Sequence, residues 1–293
     1  MSDPGTAFAL ARPAAVAVVS LVAFASGLFL LERRRPLRAR TRALPPRLWV
    51  NGVLSASAMA TAGLAVRPVA VTLLGWTAAE RFGLIAAARL PRVAGWVAAF
   101  LLLDLSFYYW HRANHRWPLL WRFHNVHHVD PDLDVSTALR FHFGEVALSA
   151  GFRAVQVLLI GPPAAAYVAY EVVFQANTLF HHSNARLPLA VERALNRLLV
   201  TPRMHGIHHS QVKGETNSNY SVVFPWWDRL HRSLVLGIRQ RDIAIGVPGY
   251  ARPGDNGLAA LALLPFRKQR DYWGEQARPA RTASPGAATG MLE

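Results

Sequence analysis

"WRFHNVHH", residues 121–128, sets three histidines at spacing i, i+3, i+4, and "MHGIHH" at 204–209 repeats that spacing. On a helix these positions project to one side, so each run aims up to three imidazoles at one region. "HRANH" at 111–115 adds a pair one turn apart. "TPRMHGIHH" carries its own helix start, with Thr201 as an N-cap and Pro202 at the first helical position. Neutral imidazole is the commonest metal ligand and suits iron, zinc, copper or nickel. The candidate ligands are His111, His115, His124, His127, His128, His205, His208 and His209. Eight imidazoles exceed one tetrahedral zinc and suit two metals. One zinc stapling the fold, or histidines titrating among headgroups, explains one cluster but not three. The lone His231 is read as structural.

The surrounding composition is that of a membrane protein. Of 293 residues, 52% are hydrophobic and only 17% charged, and mean hydropathy is positive. The net charge of +15 comes with arginines that border apolar stretches, which fits anionic lipid headgroups and not nucleic acid. With no cysteine, disulfides, thiolate sites and iron–sulfur clusters are excluded, so any metal is held by histidine and carboxylate.

The apolar run 13–31 is long enough for one crossing and meets the arginine-dense "ERRRPLRARTRALPPR" at 32–47. A cleaved signal peptide is the competing reading, but the run continues past its small residues "AFASG". The positive-inside rule then places the N-terminus outside and residues 33–47 in the cytoplasm. A second run starts near Asn51 and weakens at Arg67 and Pro68, so residues 69–92 are expected to be interfacial or re-entrant. A third, 93–110, ends on an aromatic cluster just before His111. The fourth, 144–180, would reach about 55 Å as one helix, nearly twice the hydrocarbon thickness. "GPP" at 161–163 breaks it, so a helical hairpin is expected, returning His142, His181 and His182 to one face of the membrane. The expected organisation is N-terminal membrane helices and a basic loop over 1–110, a histidine region over 111–235 that contains the hairpin, a cap segment over 236–277 and a disordered tail over 278–293.

"DLSFYYWHRANH" (104–115), "WRFHNVHH", "FHHSNARLP" (180–188), "TPRMHGIHHS" (201–210) and "NYSVVFPWWDRL" (219–230) resemble the fatty acid hydroxylase/sterol desaturase superfamily of integral membrane di-metal oxygenases, over roughly 95–235. The eight residues between His115 and His124 keep the family spacing. The resemblance implies an all-α integral membrane protein of about four transmembrane helices, with a helical cytosolic cap holding a di-iron histidine cluster. It implies O2-dependent hydroxylation or desaturation of a lipid, with electrons from a separate reductase chain such as a ferredoxin or cytochrome, and zinc in place of iron in purified samples. The positive-inside reading and the hairpin put the metal site on the cytoplasmic face, and the expected location is a bacterial inner membrane. By the same resemblance His182 is an added ligand and His181 its weaker neighbour. His142, in "LRFHFGE" where the family has "RFHP", is a ligand or stands behind the ligands. "WDRLHRS" at 227–233 departs from the family's "WDRLFGT", which touches local cap contacts only.

Asp104, seven residues before His111, and Asn184 are the candidate catalytic residues that orient the site, with Glu145 a weaker one. Asn219 and Trp226 are read equally well as cap packing. Two other classes stay open: a membrane di-zinc hydrolase, and a membrane protein that binds metal without turnover.

Overall fold

The computed structural model describes residues 4–271, with side chains from residue 15 onward; the tail expected over 278–293 lies outside the described residues. Among the described residues the chain is helical and forms no strand beyond two isolated bridges. Four helical stretches are long and apolar enough to cross a membrane: Ala15–Arg34, Leu44–Ala87, Arg92–Arg116 and Phe143–Ile160. The chain is an all-α integral membrane protein.

Helix α1 (Pro4–Arg34) leads through the basic segment into α2 (Leu44–Thr61), whose first turn accommodates Pro45 and Pro46 because N–H groups there need no partner. The expected break at Arg67 and Pro68 does not occur. A single π-helical turn, Ala62–Val66, carries the chain from α2 straight into α3 (Arg67–Ala79). Proline cannot donate to the helix ladder and crowds the carbonyl four residues back; one wider turn before it relieves that conflict without ending the helix. Residues 69–79 are therefore the upper part of a long helix packed on a later one, and not a re-entrant loop. A short helix, α4 (Leu84–Ala87), precedes α5 (Arg92–Arg116), which at about 1.5 Å per residue is about 37 Å long and delivers His111 and His115 at its foot.

The next helix, α6 (Pro118–His128), carries the first histidine triplet. The expected hairpin is present as α7 (Phe143–Ile160) and α8 (Ala164–His182). Gly161 ends α7 in the left-handed region at φ +60, and an added Cβ would overlap the carbonyl of Phe82. The arms splay: α7 packs on α3 and α5, while α8 packs on α1 and α5. Their shared core joins Ala99, Leu103, Phe107, Val157, Tyr170 and Val223. Valines 16, 18, 19 and 22 of α1 stay exposed, as lipid-facing residues would.

All histidine-bearing ends meet at the foot of this bundle, together with the basic segment. Leu37 N–H donates to Asn184 O, and Arg186 N–H donates to Arg35 O. Arg47 locks α2 to the loop after α6, donating from Nε and Nη2 to Asp130 at 2.9 Å each and from Nη1 to Asp134 at 2.7 Å. Burial alone would push the Asp130 carboxyl up, but Arg140 and Arg47 outweigh it and hold it at about 2. The C-terminal segment closes the cap: Leu261 and Leu264 pack with Leu54, Val126 and Tyr250.

Candidate metal centre

Nine histidines converge in two groups. His111, His115, His124, His128 and His208 form one; His127, His182, His205 and His209 form the other, with ligand nitrogens within 4.8 Å of one another in each. The repeated triplets explain the division. In both α6 and α10 (Pro202–His208, with His209 at its end) the i and i+4 histidines join one group and the i+3 histidine joins the other. Positions i and i+4 nearly eclipse on a helix, whereas i+3 and i+4 are about 100° apart, so one short helix serves two neighbouring points.

Second partners set the tautomers. Nδ1 of His111 faces Tyr220 O at 2.8 Å, that of His208 faces Ser218 O at 2.7 Å, and that of His182 faces Thr178 O at 2.8 Å. Nδ1 of His127 faces Arg140 O at 3.3 Å, and Nδ1 of His124 faces Glu145 Oε1 at 2.8 Å. These oxygens only accept, so each Nδ1 carries the proton and each Nε2 presents a lone pair. Such anchoring is how metal-ligating imidazoles are oriented. Glu145, the weaker candidate from sequence, is the carboxylate that His124 Nδ1 meets.

Ligand nitrogens of the second group crowd together. His182 Nε2 lies 3.0 Å from His127 Nε2 and 3.0 Å from His205 Nε2, and His209 Nε2 lies 3.1 Å from His205 Nε2. In the other group, His115 Nε2 and His208 Nε2 are buried without a hydrogen-bond partner. His127 and His182 both carry the proton on Nδ1, so their Nε2 lone pairs face each other and repel unless a cation sits between them. Burial first, then neighbouring imidazoles, holds His127, His128, His205 and His209 well below the ordinary histidine range. Burial also pushes His208 down to about 3. These five imidazoles are thus held toward the neutral form, the state that binds metal. The residues present fit two metal ions.

Three sequence expectations fall elsewhere. His142 lies outside both groups because it caps α7: its Nδ1 accepts from Gly144 N–H at 2.9 Å and its Nε2 donates to Ala262 O at 3.1 Å, leaving no free nitrogen. Asp104 accepts from Val223 N, Phe224 N, Trp227 Nε1 and Tyr170 Oη, so it clamps the loop 220–227 to α5 and does not face the histidines. Asn184 pairs with the backbone of Arg38 at 2.9 Å in both directions, tying the basic segment to the end of α8. Thr201 occupies the N-cap position of α10, but its side chain makes no capping bond. Asn219 and Trp226 are packing residues: Asn219 bridges Met204 O and Val235, and Trp226 stacks on Phe224. His231 stacks on Tyr108. The anchoring carbonyls of Tyr220, Ser218, Thr178 and Arg140 carry no sequence signal, because every residue type has one.

A cavity of about 260 Å³ joins the two groups to the membrane helices. His111 and His124 of one group and His127, His182 and His205 of the other line its foot, while Met59, Val66, Phe107 and Phe174 line its apolar walls.

Residues 96–233 match the fatty acid hydroxylase family. The likeness to this family extends over 138 of the 293 residues. It is 30% identical over 174 residues to ornithine lipid hydroxylase OlsE of Rhizobium tropici, covering 59% of this chain and 51% of that one. It is 32% identical over 138 residues to alkylglycerol monooxygenase of Homo sapiens, covering 46% and 29%. To the cholesterol 25-hydroxylase-like protein of Danio rerio it is 30% identical over 140 residues, covering 47% and 54%. The matches thus span about half or less of these relatives' length. No solved structure matches the chain.

Proposed function

We propose that this chain is a membrane-bound di-iron oxygenase that hydroxylates or desaturates a lipid with O2 and external electrons. The observation that carries it is one apolar cavity lined at its foot by ligand residues of both histidine groups. The nine histidines of the two groups would hold two iron ions, replaceable by zinc during purification. Bound iron supplies activation of O2 for attack on an unactivated C–H bond. The protein's part is orientation and exclusion of water: Glu145 and the four anchoring carbonyls keep Nε2 of their histidines turned inward, and the apolar wall holds a lipid tail while shedding water. Electrons come from a separate donor, a ferredoxin or cytochrome with its reductase. The relatives' names, all lipid hydroxylases or monooxygenases, support the substrate class.

Iron-replete protein supplied with a reductase, an electron donor and labelled O2 should place the label in a hydroxylated lipid. Label arriving from water, with turnover in the absence of O2 by a zinc form, would replace this reading with the di-zinc hydrolase.

The cap faces the cytoplasm of a bacterial inner membrane in this proposal, because the basic segment 33–47 packs against it. The chain has no cysteine, so single cysteines can report sidedness. Arg40→Cys and Lys213→Cys should resist an impermeant thiol reagent in intact cells and react in inverted vesicles, with Pro163→Cys doing the reverse. Labelling of Lys213→Cys from outside would invert the orientation.

A further inference from the structure

An ion pair bridges the splayed arms of the hairpin in the wall of the cavity. Arg153 on α7 places Nη2 2.7 Å from Glu171 Oε1 on α8, and both side chains line the same cavity as the histidines. Arg153 is otherwise engaged: Nη1 donates to Gln156 Oε1 at 2.9 Å, and its guanidinium stands 4.3 Å over the Phe107 ring. Glu171 is less so. Arg153 holds it through Oε1, and the side chain keeps 30% exposure. A carboxylate offers about four acceptor sites, so Glu171 retains capacity for a donor from the cavity.

The depth of the pair follows from two helices independently. Glu145, bonded to His124, precedes Arg153 by eight residues on α7, about 12 Å of rise. Glu171 precedes the ligand candidate His182 by eleven residues on α8, about 17 Å. Charges this far inside a membrane bundle are costly and are retained where they act on something. Nothing in the histidine groups uses them.

We propose that the Arg153–Glu171 pair anchors the hydroxyl of a lipid alcohol, holding its polar end deep in the cavity while its apolar body runs down to the histidines. This rests on the oxygenase reading and names its substrate class. Charge selects the ligand: the pair is neutral overall, and a phosphate or carboxylate head would surrender its hydration to meet Glu171. A hydroxyl donates to Glu171 without carrying charge inward, whereas a methyl end or an ether has no proton to donate. Anchoring at one end then fixes which carbon reaches the metal centre.

The test is binding to the full chain in nanodiscs, with radiolabelled 1-hexadecanol and unlabelled competitors, in the absence of O2. Hexadecanol should compete at least about tenfold better than its methyl ether or hexadecane, the cost of one lost hydrogen bond to a charged acceptor. Glu171→Gln should weaken that preference. Arg153→Met/Glu171→Leu, which removes the pair without stranding a charge, should abolish it while metal content and monodispersity stay unchanged. Equal competition by ether and alcohol, a preference that survives the double substitution, or a lysophosphatidic acid that competes as well as hexadecanol would each overturn the anchor. Selective binding of an alcohol that is never oxidised with O2 and an electron donor would instead sink the oxygenase reading and leave the anchor standing.

Discussion

Chains carrying His127→Ala together with His208→Ala are expected to purify with almost no bound metal and no measurable turnover, whereas either single substitution removes about one ion of two. The expectation comes from the crossing of the triplets: His208 belongs to the five-histidine group, and His127 to the four-histidine group. Because the second group begins with fewer ligands, His127→Ala leaves three imidazoles there and should empty it more completely than His208→Ala empties the first, which keeps four. Loss of either ion should lower turnover by at least about 10³-fold, since outer partners of a metal ligand alone cost about 10–100-fold. Metal analysis of monodisperse protein checks this. Full stoichiometry in the double variant, or loss of both ions in each single one, would refute two separate groups. Fold should survive, because removing an imidazole relieves facing lone pairs such as those of His127 and His182.

The helical class, the hairpin and the gathering of nine of the ten candidate histidines were legible because length, periodicity and a proline–glycine break are local properties. The assignment of each histidine to one group was not. It depends on how α5, α6, α8 and α10 converge, and the i+3 crossing appears only when two triplets face each other. His142 misled because its sequence neighbours resemble a ligand motif, while Gly144 two residues on turns it into a helix cap. Arg67 and Pro68 looked like the end of a crossing because a proline break and a proline-relieving π turn read alike in sequence. The Arg47–Asp130–Asp134 lock had a visible trace in the acidic run "DPDLD" at 130–134, but its partner lies eighty-three residues before Asp130. Asn184 follows His182 by two residues, yet its amide is spent on the Arg38 backbone.

Asp104→Ala is expected to cost about 4 kcal/mol or more and to leave little monodisperse protein, without any direct effect on the metals. Seven residues separate Asp104 from His111, which in sequence aims both along one helix face. In the fold that face turns at its upper end toward loop 220–227, and the carboxylate accepts from four donors: Trp227 Nε1 at 2.7 Å, Phe224 N at 3.1 Å, Tyr170 Oη at 3.2 Å and Val223 N at 3.3 Å. Alanine strands all four in a site that excludes water, at about 1–3 kcal/mol for each buried donor left unmet. Asparagine keeps one acceptor oxygen but sets an amide N–H₂ against donors, so Asp104→Asn should fold with a lowered unfolding midpoint. Because Tyr220, at the start of that loop, supplies the carbonyl that anchors His111, a loosened loop can blur metal binding indirectly. Metal content measured on the folded fraction of Asp104→Asn separates the two roles. An unchanged midpoint with metal lost would return Asp104 to the site; a lowered midpoint with metal retained identifies it as the clamp that holds the loop against α5.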